Sequence, residues 1–340
     1  MKGMVTTLAC LFAITFLLAG DGATQTPVRV GDLGIMSDAP FYIALEKGYF
    51  KERGIEVRLE RFAAALAMAS LAAGELQVVG GGIAPPLFNA LARGLPVKIV
   101  APRHDNAPNN SYANLAIRAD LKDQIRRIAD LKGKKISTTA RGTAAYYMLG
   151  KALESESLTF KDVEMVYMPW PDMGPAFARK AIDAAILVEP FLTQYQEKGY
   201  AIPWKDADDV IKEWQVSAIF YNIEWADKNP QVAKDFMVAY IRAAREFYEA
   251  SYGGKNRPEV IEILAKYTKV KDKALYEKMR WGVVEPNGKI NKESIREQQD
   301  WLAKEGLVPT KIDVDKLVDD RYAKYAVEQL GVYTPRRPAR

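Results

Sequence analysis

The stretch Leu76–Val100, LQVVGGGIAPPLFNALARGLPVKIV, limits what this chain can fold into more than any other part of it. An apolar run, Leu76–Val79, meets three glycines, Gly80–Gly82. An apolar helical pattern follows from Pro85 to Ala92 and closes at Arg93-Gly94, and a second β-rich run, Val97–Ala101, comes next. Strand, glycine turn, helix, strand is the unit of an open α/β fold, and such folds bind ligands beyond the carboxyl ends of their strands. Glycines placed there let backbone N–H groups face outward, and proline in the first helical turn wastes no donor. A plain tight connection would use the same residues. Neither a Gly-Lys-Ser/Thr phosphate loop nor a properly spaced G-x-G-x-x-G is present.

The same logic recurs along the chain. Val28–Val30 opens a strand, a polar loop covers Gly31–Ser37, and Pro40–Lys47 reads as a helix with Asp38 or Ser37 as its N-cap. Ile55–Leu59 alternates as a half-buried strand, and Phe62–Ala73 is an alanine-rich helix stopped by Gly74. Pro102–Ser111 reads as a polar loop carrying the only histidine, His104, which is expected to face solvent. Asn114–Ile117 is short and apolar, a crossing into a second lobe. Lys135–Ser137, Thr138–Thr143 and Ala144–Leu153 repeat strand, turn and helix; Val163–Met168, Asp172–Arg179 and Asp183–Val188 continue with strand, helix and strand, ending at Glu189-Pro190. Trp214–Tyr221 is another β-rich run that carries the chain back. Helical patterns then cover Pro230–Tyr252, Pro258–Tyr267, Lys271–Trp281, Lys292–Glu305 and a stretch near Leu317–Gln329, and these long C-terminal helices are expected to pack on the first lobe. Two βαβ-rich halves joined by two crossings make a bilobed α/β layout.

At 340 residues the chain has room for about two domains by length alone. Its net charge of +5 is mild, and Lys and Arg alternate with Asp and Glu along the helices, so no nucleic-acid partner is expected. Lys2 precedes an apolar segment, Leu8–Leu18, then small and polar residues to Gln25, the layout of a secretory signal peptide over residues 1–23. An uncleaved membrane anchor is the alternative. The single cysteine, Cys10, lies inside that segment, so the mature chain would have no disulfide, thiolate nucleophile or sulfur-ligated metal.

Four blocks resemble a known family: APFYIALEKGYFKERGIEV at 39–57, the 71–100 stretch, IADLKGKKISTTARGTAAYYMLG at 128–150 and ARKAIDAAILVEPF at 178–191. Together they resemble the periplasmic substrate-binding proteins of ABC importers, in the nitrate/taurine, SsuA/TauA-like and NMT1/THI5-like group. Lys180 and Gln77 depart from the pattern, standing where the family more often has glycine and aspartate. The resemblance implies a type II periplasmic binding-protein fold: two α/β lobes, a ligand cleft between them and a helical C-terminal region. One lobe would be Pro27–Tyr112 with Trp214–Arg340, the other Ala113–Glu213. It further implies a periplasmic monomer that takes a small-molecule solute to an ABC permease in the inner membrane; a sensor feeding a receptor or kinase is the alternative.

Asked which residues line such a cleft, the sequence offers Ser37, Phe41 and the Gly81-Gly82-Ile83 turn from the first lobe. From the second it offers Arg141-Gly142-Thr143-Ala144, where a strand gives way to a helix and free N–H groups favour an anion. Arg141 would add a bidentate contact to a carboxylate, sulfonate or phosphate, or stand as a solvated loop residue. Trp170 would stack on a flat ligand or simply pack, Tyr146 or Tyr147 would point inward, and Glu189 would accept from a ligand N–H or cap the helix after it. The expected solute is therefore anionic, aromatic or heteroaromatic. One histidine and no mature cysteine disfavour a catalytic triad or a His-rich metal site, and the pyrimidine synthases that share the family's name use histidine and cysteine that this chain lacks. Asp208-Asp209 and Asp319-Asp320 read as solvated charge. No enzyme, no cofactor and no metal are expected.

Overall fold

The computed structural model describes residues 25–62, 64–105, 110–111 and 113–334; the expected signal segment and the Pro335–Arg340 tail lie outside them. Ten strands form two five-stranded sheets among these residues. In chain order they are β1 Thr26–Asp32, β2 Ile55–Arg61, β3 Val78–Gly82, β4 Val97–Asp105, β5 Ala113–Arg118, β6 Lys135–Thr138, β7 Glu164–Tyr167, β8 Ala184–Val188, β9 Ala201–Asp206 and β10 Gln215–Asn222. The first sheet runs β2-β1-β3-β10-β4, the second β7-β6-β8-β5-β9. In each, one strand that has crossed from elsewhere in the chain lies antiparallel to its two neighbours: β10 between β3 and β4, and β5 between β8 and β9. This is the bilobed plan of a type II periplasmic binding protein.

Burial explains the strand sequences. β2 alternates, with Ile55 and Val57 buried and Glu56 and Arg58 exposed, as an edge strand with one wet face does. β8 (AAILV) and β10 (QVSAIFYN) are inner strands buried on both faces and read as nearly continuous apolar runs. The three glycines do not form a turn. Gly80, Gly81 and Gly82 are the end of β3, paired with Ile219, Ala218 and Ser217 of β10. Their value is close approach rather than outward amides: a Cβ on Gly80 would lie 2.5 Å from Arg103 Nε, and one on Gly81 2.9 Å from the Phe220 ring. The glycine that the family resemblance would place at 180 also has a local reason, since Lys180 holds a left-handed φ of 60°.

The C-terminal helices divide between the lobes. Helix Pro230–Ser251 packs on helix Ala39–Glu46, burying Phe41 against Phe236 and Tyr240 at centroid distances of 6.2 and 5.4 Å. Helix Lys292–Lys304 reaches both lobes: Ser294 and Gln298 bond to Gln215 of β10 in the first sheet, as the expectation that these helices pack on the first lobe requires, while Trp301 extends past it to the second. Its Trp301 lies on Gly150 of the second lobe's helix Ala144–Glu154, where a Cβ would meet the ring at 2.1 Å, and touches Tyr147 edge-on at 5.1 Å. The physical cause is an amphipathic helix whose buried face carries Ile295, Gln298, Trp301 and Leu302 and covers a groove that only glycine leaves open. One apolar core therefore runs from Leu87, Val97 and Ile99 through Trp214 and Trp301 to Leu115, Ile136 and Ile186, crossing from sheet to sheet.

Candidate ligand-binding cleft

A cavity of about 550 Å³ lies between the lobes. Its first wall is the 33–37 loop between β1 and helix Ala39–Glu46, with His104 at the end of β4. Its second is Trp170 and the segment 188–194, where β7 and β8 hand over to helices Trp170–Ala178 and Phe191–Glu197. Its third is the segment 268–282, which the sequence marked as a helix over Lys271–Trp281 but not as part of the cleft; the helix itself spans only Lys273–Lys278.

Buried charge holds the first wall in place. Asp38 stands at the N-cap position but its carboxylate does not cap the helix. One oxygen accepts from Arg103 Nε and Nη2 at 2.9 and 2.6 Å, and the other from the backbone N–H of Leu33 and Ile35 at 2.9 and 3.4 Å. Asp38 and Arg103 are 1% and 3% exposed. Burial pushes the Asp38 carboxyl up, and the guanidinium works against that. Beside it Asp32 accepts from Tyr42 Oη at 2.5 Å and from Arg61 at 3.0 Å, so the loop rests on two ion pairs.

His104 is the largest departure from expectation. β4 continues through residue 105, with a register shift near Pro102, and His104 pairs with Ser217 of β10. The imidazole is buried against the backbone of Gly282, where a Cβ would lie 1.5 Å from Nε2. Burial first, and Arg103 second, push its pKa down to about 3, so the ring is neutral. The proline concealed the strand, and with it the histidine.

On the second wall Trp170 donates from Nε1 to Ile186 O at 3.2 Å and stacks on Phe191 with centroids 6.3 Å apart. Glu189 caps the helix behind it, accepting from Thr193 N at 3.1 Å and Thr193 Oγ1 at 2.9 Å, and it also accepts from Arg280 N at 3.2 Å. Burial raises its carboxyl above the ordinary value while those donors oppose the rise. The third wall is tied to the second: Lys278 pairs with Glu197 at 2.5 Å, and Arg280 Nη1 reaches both oxygens of Asp206 at 2.5 Å.

Of the residues the sequence singled out, Ser37, Trp170 and Glu189 line this cavity. Phe41 is core. Gly81 and Gly82 are ladder residues, and Ile83 donates its N–H to Val216 O at 3.1 Å. Arg141 is exposed, with Nη2 donating to Glu305 O at 2.8 Å, and Gly142 lies against Pro85 and Leu307. Thr143 caps its helix by accepting from Tyr146 N at 3.2 Å, and Ala144 begins that helix. Tyr146 and Tyr147 are buried beside Trp301 rather than facing the cavity. Among the described residues no group of three or more His, Cys, Asp or Glu is placed to hold a metal ion.

Comparison with known proteins agrees with this fold. Residues 36–250 match the family model described as NMT1/THI5 like. A candidate binding protein of Brucella abortus (strain 2308) is 31% identical over 273 residues, covering 79% of this chain and 80% of its own length. The periplasmic aliphatic sulphonate binding protein SsuA of Escherichia coli superposes with a TM-score of 0.71 at 22% identity, over 86% of this chain and 97% of that one. The nitrate-binding protein NrtA of Synechocystis PCC 6803 does so with a TM-score of 0.69 at 18% identity, over 91% and 90%.

Proposed function

The chain belongs to the NMT1/THI5-like family, and from that membership we propose that it is an extracytoplasmic solute-binding protein. It captures a small organic solute and delivers it to an ABC permease, acts as a monomer, and carries out no catalysis of its own. Residues 27–112 with 214–340 make one lobe of this reading and 113–213 the other. The observation that carries it is the cavity between the lobes, whose walls come from both and from the 268–282 segment. Closing on a solute stabilises the closed state by the solute's differential affinity for it. The Trp170–Phe191 wall suits a flat aromatic or heteroaromatic ring. A cavity of about 550 Å³ is far larger than nitrate requires. The relatives named for sulphonate and nitrate support the binding role without fixing the solute.

A thermal-shift screen of the full chain against pyrimidines, aromatic carboxylates, aromatic amides, sulfonates and amino acids tests this. A solute at a hundred times its dissociation constant adds about 2.7 kcal/mol. A rise that is lost in Trp170→Ala and kept in Arg141→Ala is the expected result. A rise untouched by Trp170→Ala would move the solute out of this cavity, and no rise with any class would overturn the solute-binding role.

A further inference from the structure

The cavity's own groups bear on the charge of its solute, an inference that rests on the solute-binding reading above. Where backbone N–H groups converge on the cavity, carboxylates of the chain have already taken them. Asp38 accepts from Leu33 and Ile35 of the first wall. Glu189 accepts from Thr193 N at the start of helix Phe191–Glu197 and from Arg280 N of the third wall.

Two of the cationic side chains around the cavity are committed in the same way. Arg103 is held by Asp38, and Arg280 by both oxygens of Asp206. Lys271 keeps its charge, but it is exposed and spends two of its three donors on the carbonyls of Ala265 and Lys266, at 2.7 and 3.1 Å. Lys269 lines the cavity without an ion pair among the described residues, but it is exposed and shares that wall with Asp272. His104, buried and neutral, brings no charge. An anion entering here would lose its hydration and meet Glu189 without a set of donors to replace the water. Glu189 accepts three hydrogen bonds and a carboxylate has about four acceptor sites, so it retains room for a donor from the solute.

We infer that this cavity takes an uncharged or cationic ring-bearing solute with at least one N–H or O–H donor, and rejects anions. In this it differs from the proteins of like fold that are named for sulphonate and nitrate.

The test measures the potential inside the cavity without needing the solute. Cys10 is the only cysteine, so Cys10→Ser gives a thiol-free background. Into it goes Met36→Cys, half-buried on the cavity's first wall, and separately Leu66→Cys, 62% exposed, as a surface reference. Each thiol reacts with methanethiosulfonates of similar size bearing an ammonium, no charge or a sulfonate. With rates normalised to the uncharged reagent and to the Leu66→Cys reference, the ammonium reagent is expected to lead the sulfonate at residue 36 by roughly threefold or more. A sulfonate rate equal to or above the ammonium rate overturns the inference, and so does a solute screen whose Trp170-dependent hits are all anions. A lead for the ammonium reagent with no hit from any solute would instead leave the charge inference standing and remove the solute-binding role.

Discussion

His104 shows how much one side chain's surroundings decide. Its folded pKa of about 3 lies well below the ordinary histidine value of about 6.5. The unfolded chain therefore binds the extra proton first, and the histidine's contribution to stability is whole above about pH 6.5 and is lost as pH falls toward 3. Between pH 6.5 and 5 this one group should cost the protein on the order of 1–2 kcal/mol. Asp38, Asp105, Glu189 and Glu285, all raised by burial, act with the opposite sign, so the difference between two chains is the clean measure. Urea titrations of wild type and His104→Gln across that range should diverge, with the variant losing less; parallel curves would mean that the imidazole is protonated in the fold. In the sequence, a histidine between Pro102 and a run of Asn, Ala and Pro looks like a loop residue. The Asp38–Arg103 pair was equally hidden, because 65 residues separate its members and only the sheet brings them together.

Elements whose pattern is local were legible; those that depend on a distant partner were not. The 230–251, 257–267 and 292–304 helices stand close to where periodicity and proline placed them. The role of Gly80–Gly82 was misjudged because β10, their partner, enters the sheet far later in the chain, with Ile219 pairing Gly80 across 139 residues. Helix 292–304 was seen and given its first-lobe neighbour, but its contact with the second lobe was missed, since an amphipathic face says that something will be covered and not everything that will cover it. Replacing Trp301 by alanine should cost about 3–5 kcal/mol in urea unfolding, the range for a large buried side chain. Gly150→Ala should also destabilise, although alanine outranks glycine in a helix by about 1 kcal/mol, because the indole occupies the space a Cβ needs. The third wall makes a different prediction. Exposed ion pairs contribute about 0.2–1 kcal/mol each, so removing Lys278 and Arg280 together should weaken solute binding several-fold and flatten its dependence on salt. Titration calorimetry at two ionic strengths would read both; unchanged affinity would show that these pairs play no part in closure.

For the molecule as a whole, the bilobed α/β plan was recoverable from the order of strands and helices, while the lining of the candidate cleft was only partly so. Ser37, Trp170 and Glu189 lie at strand ends, where a sequence advertises them; the 268–282 wall belongs to a helical region whose part in the cleft is set by packing alone. The continuous core through Trp214 and Trp301 makes the two lobes unlike two beads on a pair of strings. The crossing strands end in a polar knot beside it: Gln215 donates to Asp105 Oδ1 at 2.5 Å and accepts at Oε1 from Asn291 N at 3.0 Å, and Gln298 donates to Gln215 O at 2.9 Å. Covalent continuity between the lobes is then largely redundant. A chain cut once between Asp105 and Asn110 should still elute as a single particle and keep its solute, and new termini placed at that cut should give a working circular permutant.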